Sequence, residues 1–562
     1  MKEDYSLDSQ RVASFFVPNF KTRWESMVPD LQPSTRCTNL VLNGGPLDLP
    51  KLHPYGKIVS RAVLTDVDEV TKSDELFLLW LNKRYNAKYY MTHGIVKPTP
   101  ASMINQIKKF AEPVNGTPDA EIFRLADNAL RIVLSPLIGA CRFTAFDDVE
   151  LNMDAANGWP LGTHYRKKGD AVIGAYNELK WWVTDGWRDS PPQYIKLTGK
   201  VERLSLEEIK KQKCRAFQPD PTQIVLYEAQ LNQDIIARFK ELKGTFSAYG
   251  FNKWDGGWHR LFSHFDRFKY FFAGDVERWD KHYQPYHHDA NTELKKIFIT
   301  EEHRKLFNTD ERFDYINRHA KNLHLALWTG DIIALEQGQG SGRYTTTFDN
   351  ILTHMRVMFY HYFRVRRKYG LQLPTLPWEI KEYFDAYVFG DDSCGATTVT
   401  ELASFEERQQ SYNENGFRLK KEDDFESQTI VGMPFLGAKV GLYKGYYVFQ
   451  LNPERIHGSM TAVQRNMSTI ERFERAFQVF MNCVFTEANY PHTEDPVWRV
   501  LYDHVKYLHS QLSGADLGAL STIFSVEVYR NFALGLESVL GDLERRWFDP
   551  PVDFGRVGGM KF

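Results

Sequence analysis

The chain has 562 residues, 43% hydrophobic, 25% charged and 14% aromatic, with a formal net charge of -2. That composition excludes a largely disordered polymer, and the near-neutral sum excludes a uniformly basic nucleic-acid coat, so an anionic ligand would have to be met by basic residues gathered in one place. Five scattered cysteines with no CxxC pair argue against a disulfide scaffold or a structural zinc site and fit a reducing compartment.

In chain order, the opening MKEDYSLDSQR lacks the apolar stretch of a secretory signal. No apolar run is long enough to span a bilayer, so membrane association is expected only peripherally or through a partner. The first 190 residues alternate short apolar runs with Pro and Gly breaks and read as a mixed, loop-rich region. A helix is predicted over 204–213, with Ser205 as cap and Glu208 three residues on. Around it Lys196, Lys200, Arg203, Lys210, Lys211, Lys213 and Arg215 crowd into one basic strip. FKYFFAGDVERWD reads as a buried strand running into an acidic turn. The stretch after Gly342 reads as a long helix stopped at Gly370. YFDAYVFGDDSCGATTV reads as strand, tight turn, strand, and VGMPFLGAKVGLYKGYYVFQ as a second such unit. Beyond Pro453 the pattern is helical, and the glycine-rich tail reads as a loop. No Walker A sequence occurs, so helicase activity is not expected.

Two acidic spots carry the chemistry: Asp275 with Asp280 five residues on, and the adjacent pair Asp391 and Asp392. Clustered carboxylates repel unless a cation neutralises them, and hard oxygen ligands suit Mg²⁺, with Mn²⁺ as the alternative. Two such ions can activate a 3′-hydroxyl and stabilise departing pyrophosphate. Alone, an Asp-Asp turn is most often a solvated loop. The context is GQGSGRYTTTFDN, Gly338 to Asn350, a glycine-rich turn opening a helix, where backbone N–H groups and small hydroxyls can meet a phosphate or sugar closely.

DVERWD, GQGSGRYTTTFDN and FGDDS resemble, in order, motifs A, B and C of viral RNA-dependent RNA polymerases. The likeness is to the positive-strand group that includes picornaviruses, caliciviruses, astroviruses and potyviruses; Gly250 to Phe262 tilts it toward the astrovirus and potyvirus branches. The resemblance implies an α+β closed right hand: residues 1–225 fingers and fingertips, 226–284 palm, 285–335 a return of the fingers, 336–452 palm, and 453–562 thumb and tail. It implies metal ligation by Asp275, Asp391 and Asp392, and ribose sensing by Asp280 through a hydrogen-bond set with Ser341, Thr346 and Asn350 beside Gly342. An acid at position 280, where reverse transcriptases usually carry a bulky aromatic, argues against deoxynucleotide use. Arg203, Lys213 and Arg215 then resemble the basic finger over the triphosphate, Asn157 to Gly162 the loop at template entry, Lys420 or Lys421 the proton donor to pyrophosphate, and Lys439 a primer contact. The implied partners are template and nascent RNA, ribonucleoside triphosphates, a genome-linked protein primer and other viral replication proteins. The implied location is the host cytoplasm, in membrane-associated complexes reached through partners. His282, His287 and His288 read as surface or core-edge histidines, not a zinc site.

Overall fold

The computed structural model describes residues 40–42, 45–47, 56–61, 72–85, 93–96, 98, 106–107, 109–111, 116–159, 161–190, 193–211, 213, 215–253, 256–327, 331–335, 337–463 and 466–516. The expected tail loop and most of the extreme N-terminal region lie outside them. Within them the chain is a mixed α+β structure built from several sheets and many helices.

At its centre is a four-stranded antiparallel sheet, ordered Phe384–Phe389, Asp392–Thr397, Tyr270–Asp275, Phe425–Ser427. Its strands are apolar runs in which successive side chains enter opposite cores. Phe272, Phe384, Ala386 and Val388 join one hydrophobic cluster; Phe271, Ala273, Tyr387, Cys394 and Ala396 join another. The first cluster is filled by the helix Thr346–Lys368, buried on almost every face between Phe348 and Val365. Gly370 stops that helix at φ 63°, as its position in the sequence predicts. The second cluster holds Trp258, Phe262 and Phe265 against the three-stranded sheet Pro434–Phe435, Ala438–Tyr443, Tyr446–Leu451.

A second four-stranded sheet orders Gly56–Arg61, Asp331–Leu335, Leu323–Ala326 and Tyr194–Lys196, so the segment after residue 285 returns to pair with strands from the first 200 residues. The predicted helix over 204–213 is shorter, Leu206–Lys210, because Glu202–Ser205 is a strand pairing with His93–Val96. Its cap is as expected: Ser205 and Glu208 bond each other's backbone N–H reciprocally, a motif that stabilises by about 1 kcal/mol. The C-terminal helices Pro453–Thr461, Thr469–Cys483 and Val497–His509 are stitched to an early segment. Lys72–Ser73 pairs with Ala462–Val463, and Phe77 and Trp80 pack on His504 with ring centroids 4.6 Å apart. Among the described residues no helix is long and apolar enough to cross a membrane.

Candidate active site

Asp275 ends its strand directly opposite Asp392, which begins the neighbouring antiparallel strand. Between Phe389 and Asp392 the chain reverses through Gly390, at φ 66°, a conformation that costs glycine nothing and other residues a great deal. The Gly390 carbonyl accepts a hydrogen bond from Nδ1 of buried His354, 3.1 Å away on the long helix. A carbonyl can only accept, so Nδ1 carries the proton and Nε2 accepts from the Tyr412 hydroxyl at 2.5 Å. Neither partner of the turn was legible from sequence, since both lie far along the chain.

Asp391 has exposed surface at the tip, yet the protein around it still desolvates the carboxyl. Burial first, and then the charges of Asp275 and Asp280, raise it, while Arg215 pulls it down. Asp392 is pushed up to about 7, by burial and then by Asp391 and Asp275, against a hydrogen bond from the Leu436 N–H at 2.6 Å. Asp275 is ion-paired to Lys420, whose backbone N–H also donates to the Asp275 carbonyl at 3.0 Å. The Lys420 ammonium lies 3.6 Å from Asp423 as well. Lys421 instead sits over the Phe405 ring, 5.6 Å from its centroid, away from these acids.

The donors are hard oxygens, and burial first and then their mutual repulsion raise two of the three, which fits a divalent cation. As they stand, with Asp275 engaged by Lys420 and Asp392 by Leu436, no three acidic, histidine or cysteine side chains converge on a metal position among the described residues.

The basic strip divides into three. Arg215 lies directly across an antiparallel ladder from Lys200, a like-charge pairing that is unfavourable unless an anion relieves it. Glu202 does so in part, 3.5 Å from Arg215. Lys213 is ion-paired to Glu208. Arg203, expected at the triphosphate, is turned here to the C-terminal helices, donating to the Ala462 carbonyl at 3.1 Å and to Ser459 at 3.4 Å. Burial, and then nearby Arg475, pull it down to about 10.

The glycine-rich turn is held from behind. Gly338 needs its φ of 107°, and a Cβ there would meet Phe110 at 2.8 Å. Ser341 bonds Gln218, and Thr346 donates to the Gly340 carbonyl at 2.6 Å. Beneath them Glu228, fully buried, accepts from Arg343 and from the backbone N–H groups of Tyr344, at 2.9 Å, and Thr345, at 3.4 Å. Asp349 completes the group, bonded to Lys295 at 2.7 Å. The expected direct hydrogen-bond set between Asp280, Ser341, Thr346 and Asn350 is not formed: the Asp280 carboxylate pairs with Lys281 at 2.7 Å. Gln339 links the two sides instead, donating from its backbone to the Asp280 carbonyl at 2.6 Å and from its side chain to Asn350 at 3.5 Å.

Lys439 is exposed on the strand Ala438–Tyr443, with Gln450 opposite. Asn157 is buried, donating to the carbonyls of Tyr165 and Lys167 and accepting from Thr222. His282, His287 and His288, expected at the surface or the core edge, are all buried, and burial pulls His287 and His288 down to about 3, so both are neutral. Their imidazoles bond the carbonyls of Asn415 and Gly338 and bridge the helix Pro285–Phe298 to the site.

A family model described as viral RNA-dependent RNA polymerase matches residues 98–462. The chain is 23% identical over 352 residues, 61% of its own length and 21% of the relative's, to non-structural polyprotein 1AB of Turkey astrovirus 1. It is 27% identical over 166 residues, 29% of its length and 7% of the relative's, to genome polyprotein 1 of Barley yellow mosaic virus (isolate Germany). It is 27% identical over 209 residues, 37% and 9%, to genome polyprotein 1 of Barley mild mosaic virus (strain Na1). The chain therefore spans at most about a fifth of the length of these curated relatives. With the family match covering more than half of its length, including the carboxylate strands, the basic ladder and the glycine-rich turn, the chain belongs to the viral RNA-dependent RNA polymerase family.

Proposed function

We propose that this chain copies RNA for a positive-strand RNA virus, joining ribonucleoside triphosphates on an RNA template at the face shared by Asp275, Asp391 and Asp392. One observation carries the reading: two paired strands present these acids beside a ladder where Lys200 and Arg215 stand side by side, with Arg215 close enough for its charge to offset part of the rise at Asp391. Acids and bases so placed suit a cation and a triphosphate together.

Asp275, Asp391 and Asp392 would hold Mg²⁺, or Mn²⁺, which supplies activation of the 3′-hydroxyl and neutralises the departing pyrophosphate by two-metal-ion transfer. The remaining work belongs to the chain's own groups. Arg215, with Lys200 and Lys213 beside it, receives the triphosphate. Lys420, once released from Asp275, is placed to hand a proton to pyrophosphate. Ser341, Gly342, Thr346 and Asn350, with Asp280 across Gln339, read the ribose: a 2′-hydroxyl completes the polar set, and a deoxyribose leaves part of it unpaired. Lys439 meets the primer strand.

The parts make a right hand, with fingers over 1–225 and 285–335, palm over 226–284 and 336–452, and thumb over 453–562. The sheet that joins Leu323–Ala326 and Asp331–Leu335 to Gly56–Arg61 and Tyr194–Lys196 supports the return of the fingers. The subgroup is picornavirus-like with astrovirus-like or potyvirus-like features. A genome-linked protein primer and other replication proteins are its partners, in membrane-associated complexes of the host cytoplasm. The test is ribonucleotide incorporation on a defined RNA template with Mg²⁺, wild type against Asp391→Ala. Template-dependent product from the wild type alone is expected; equal product from both would remove this carboxylate site.

A further inference from the structure

Gln218 is the first residue after the strand Arg215–Phe217 and is fully buried. Its contacts are concentrated on one partner. The side-chain oxygen accepts from the Ser341 backbone N–H at 3.0 Å and from the Ser341 hydroxyl at 3.2 Å, and the Gln218 backbone N–H lies 3.3 Å from that hydroxyl oxygen. The next two backbones touch as well. Pro219 and Gly342 form a parallel bridge, and a Cβ on Gly342 would stand 2.4 Å from the Gln218 carbonyl. Glycine is required at 342 by this close approach rather than by its φ angle. Ser341 itself is exposed, so Gln218 holds from the buried side the hydroxyl of a residue at the surface, with that oxygen's second lone pair still open to an incoming donor.

Packing alone does not explain a glutamine here. Its amide nitrogen is buried and has no hydrogen-bond partner among the described residues, an arrangement that costs about 1–3 kcal/mol. Methionine or leucine would fill the volume without that cost. What they lack is the acceptor oxygen that fixes Ser341. The Ser341 N–H can only donate, so the amide is bound to present its oxygen to the turn and leave its nitrogen unpaired.

We propose that Gln218 is a positioning residue for sugar selection, fixing the Ser341 hydroxyl and tying the glycine-rich turn to the strand that carries Arg215. The inference rests on the polymerase reading given above. Sugar contact and triphosphate contact then sit on two segments joined through one side chain, and the hydroxyl that meets the ribose is oriented before the nucleotide arrives.

The test compares incorporation of matched ribo- and deoxyribonucleoside triphosphates on one primed RNA template by wild type, Gln218→Met, Gln218→Glu, Ser341→Ala and the Gln218→Met/Ser341→Ala double variant. In Gln218→Met the ratio of ribo to deoxy kcat/KM should fall about tenfold, mainly through KM for the ribonucleotide, with kcat within about threefold of wild type. Gln218→Glu keeps an acceptor and should retain most of the ratio. Ser341→Ala should lose as much as Gln218→Met, and the double variant no more than either. Thermal unfolding of each protein separates lost fold from lost selection, since a purely structural defect would lower both nucleotides' rates together. A wild-type ratio in folded Gln218→Met overturns the inference, as does a Glu variant as indiscriminate as Met. If Gln218→Met does not fold, Ser341→Ala decides: a wild-type ratio there removes the sugar role of Ser341 and with it this inference, whereas the polymerase reading falls only if the wild type makes no template-directed product. A Ser341→Ala loss beside an unaltered Gln218→Met would overturn the inference alone.

Discussion

At the hairpin, of Asp275, Asp391 and Asp392 only Asp275 is ion-paired among the described residues, to Lys420; behind the glycine-rich turn Glu228 and Asp349 are ion-paired to Arg343 and Lys295. The consequences run in opposite directions at Asp392 and at Asp349. Asp391 is raised and Asp392 is pushed up to about 7, by burial and then by neighbouring negative charge. Asp349 is buried too, yet Lys295 and Arg343 outweigh that burial and hold its carboxyl below the ordinary range. Glu228 is raised by burial but accepts from four donor atoms and donates to none, the bonding of a carboxylate. The number of acids therefore does not separate a reactive centre from a scaffold. On the proposed reading local charge balance does: Glu228 and Asp349 already have their partners, and the hairpin acids would gain theirs from a cation.

The largest effects should come from breaking the unbalanced side. Asp275→Asn and Asp391→Ala should each lower nucleotide incorporation by at least about a thousandfold. The unfolding midpoint of Asp391→Ala should be unchanged or higher, because it removes like-charge repulsion, and that of Asp275→Asn should stay close to wild type, because the same relief offsets the loss of its half-exposed pair with Lys420. A clear fall in midpoint would mean that these acids are structural, and the contrast would collapse.

On the balanced side the effect should fall on stability. Glu228→Ala strands Arg343 and leaves the Tyr344 and Thr345 N–H groups without their acceptor, and should cost about 3–5 kcal/mol in urea unfolding. Replacing both members, Glu228→Met with Arg343→Met, should recover part of that loss. If Glu228→Ala is as stable as wild type, the network is not the support of the turn.

What could be read from the sequence was local. Strand, glycine and acid pair at 384–397 are contiguous, so the hairpin and its positive-φ Gly390 follow from neighbours in the chain, as does the Ser205–Glu208 cap. What could not be read was who stands behind. Glu228 is 115 residues from Arg343, Gln218 is 123 from Ser341, and Arg203 is 259 from the carbonyl that claims it. No spacing rule reaches that far. Histidines at 287 and 288 read as surface or core-edge because nothing next to them in sequence shows what covers them; packing of other elements over both residues buries them.

The adjacent lysines Lys420 and Lys421 give a smaller contrast. Lys420 lies between Asp275 and Asp423, whereas Lys421 covers an aromatic ring. Lys420→Met should slow incorporation about a hundredfold while Lys421→Met stays within about twofold. Equal effects would mean that neither ammonium is the proton donor. A separate readout is direct: with its competing ammonium gone, Lys420→Met should bind Mn²⁺ more tightly than wild type, measured by electron paramagnetic resonance of the free ion.

The smallest predicted effect comes from a third way of handling charge, which is to exclude it. His504 is buried between Phe77 and Trp80, where the early helix Glu75–Asn82 meets the C-terminal helix Val497–His509. Burial first, and then Arg84, pull its imidazole down to about 3. Because the folded value lies below the ordinary one, the unfolded chain binds the extra proton. The contribution is fully present above about pH 6.5 and is lost as pH falls toward 3, by roughly 1.4 kcal/mol per pH unit. His504→Phe keeps an aromatic in the cluster and removes the titration, so its stability between pH 6.5 and 5 should fall less steeply than that of wild type by that amount. Parallel pH profiles for the two proteins would show that His504 is protonated at no cost, and that this junction is open to water rather than sealed by its aromatic packing.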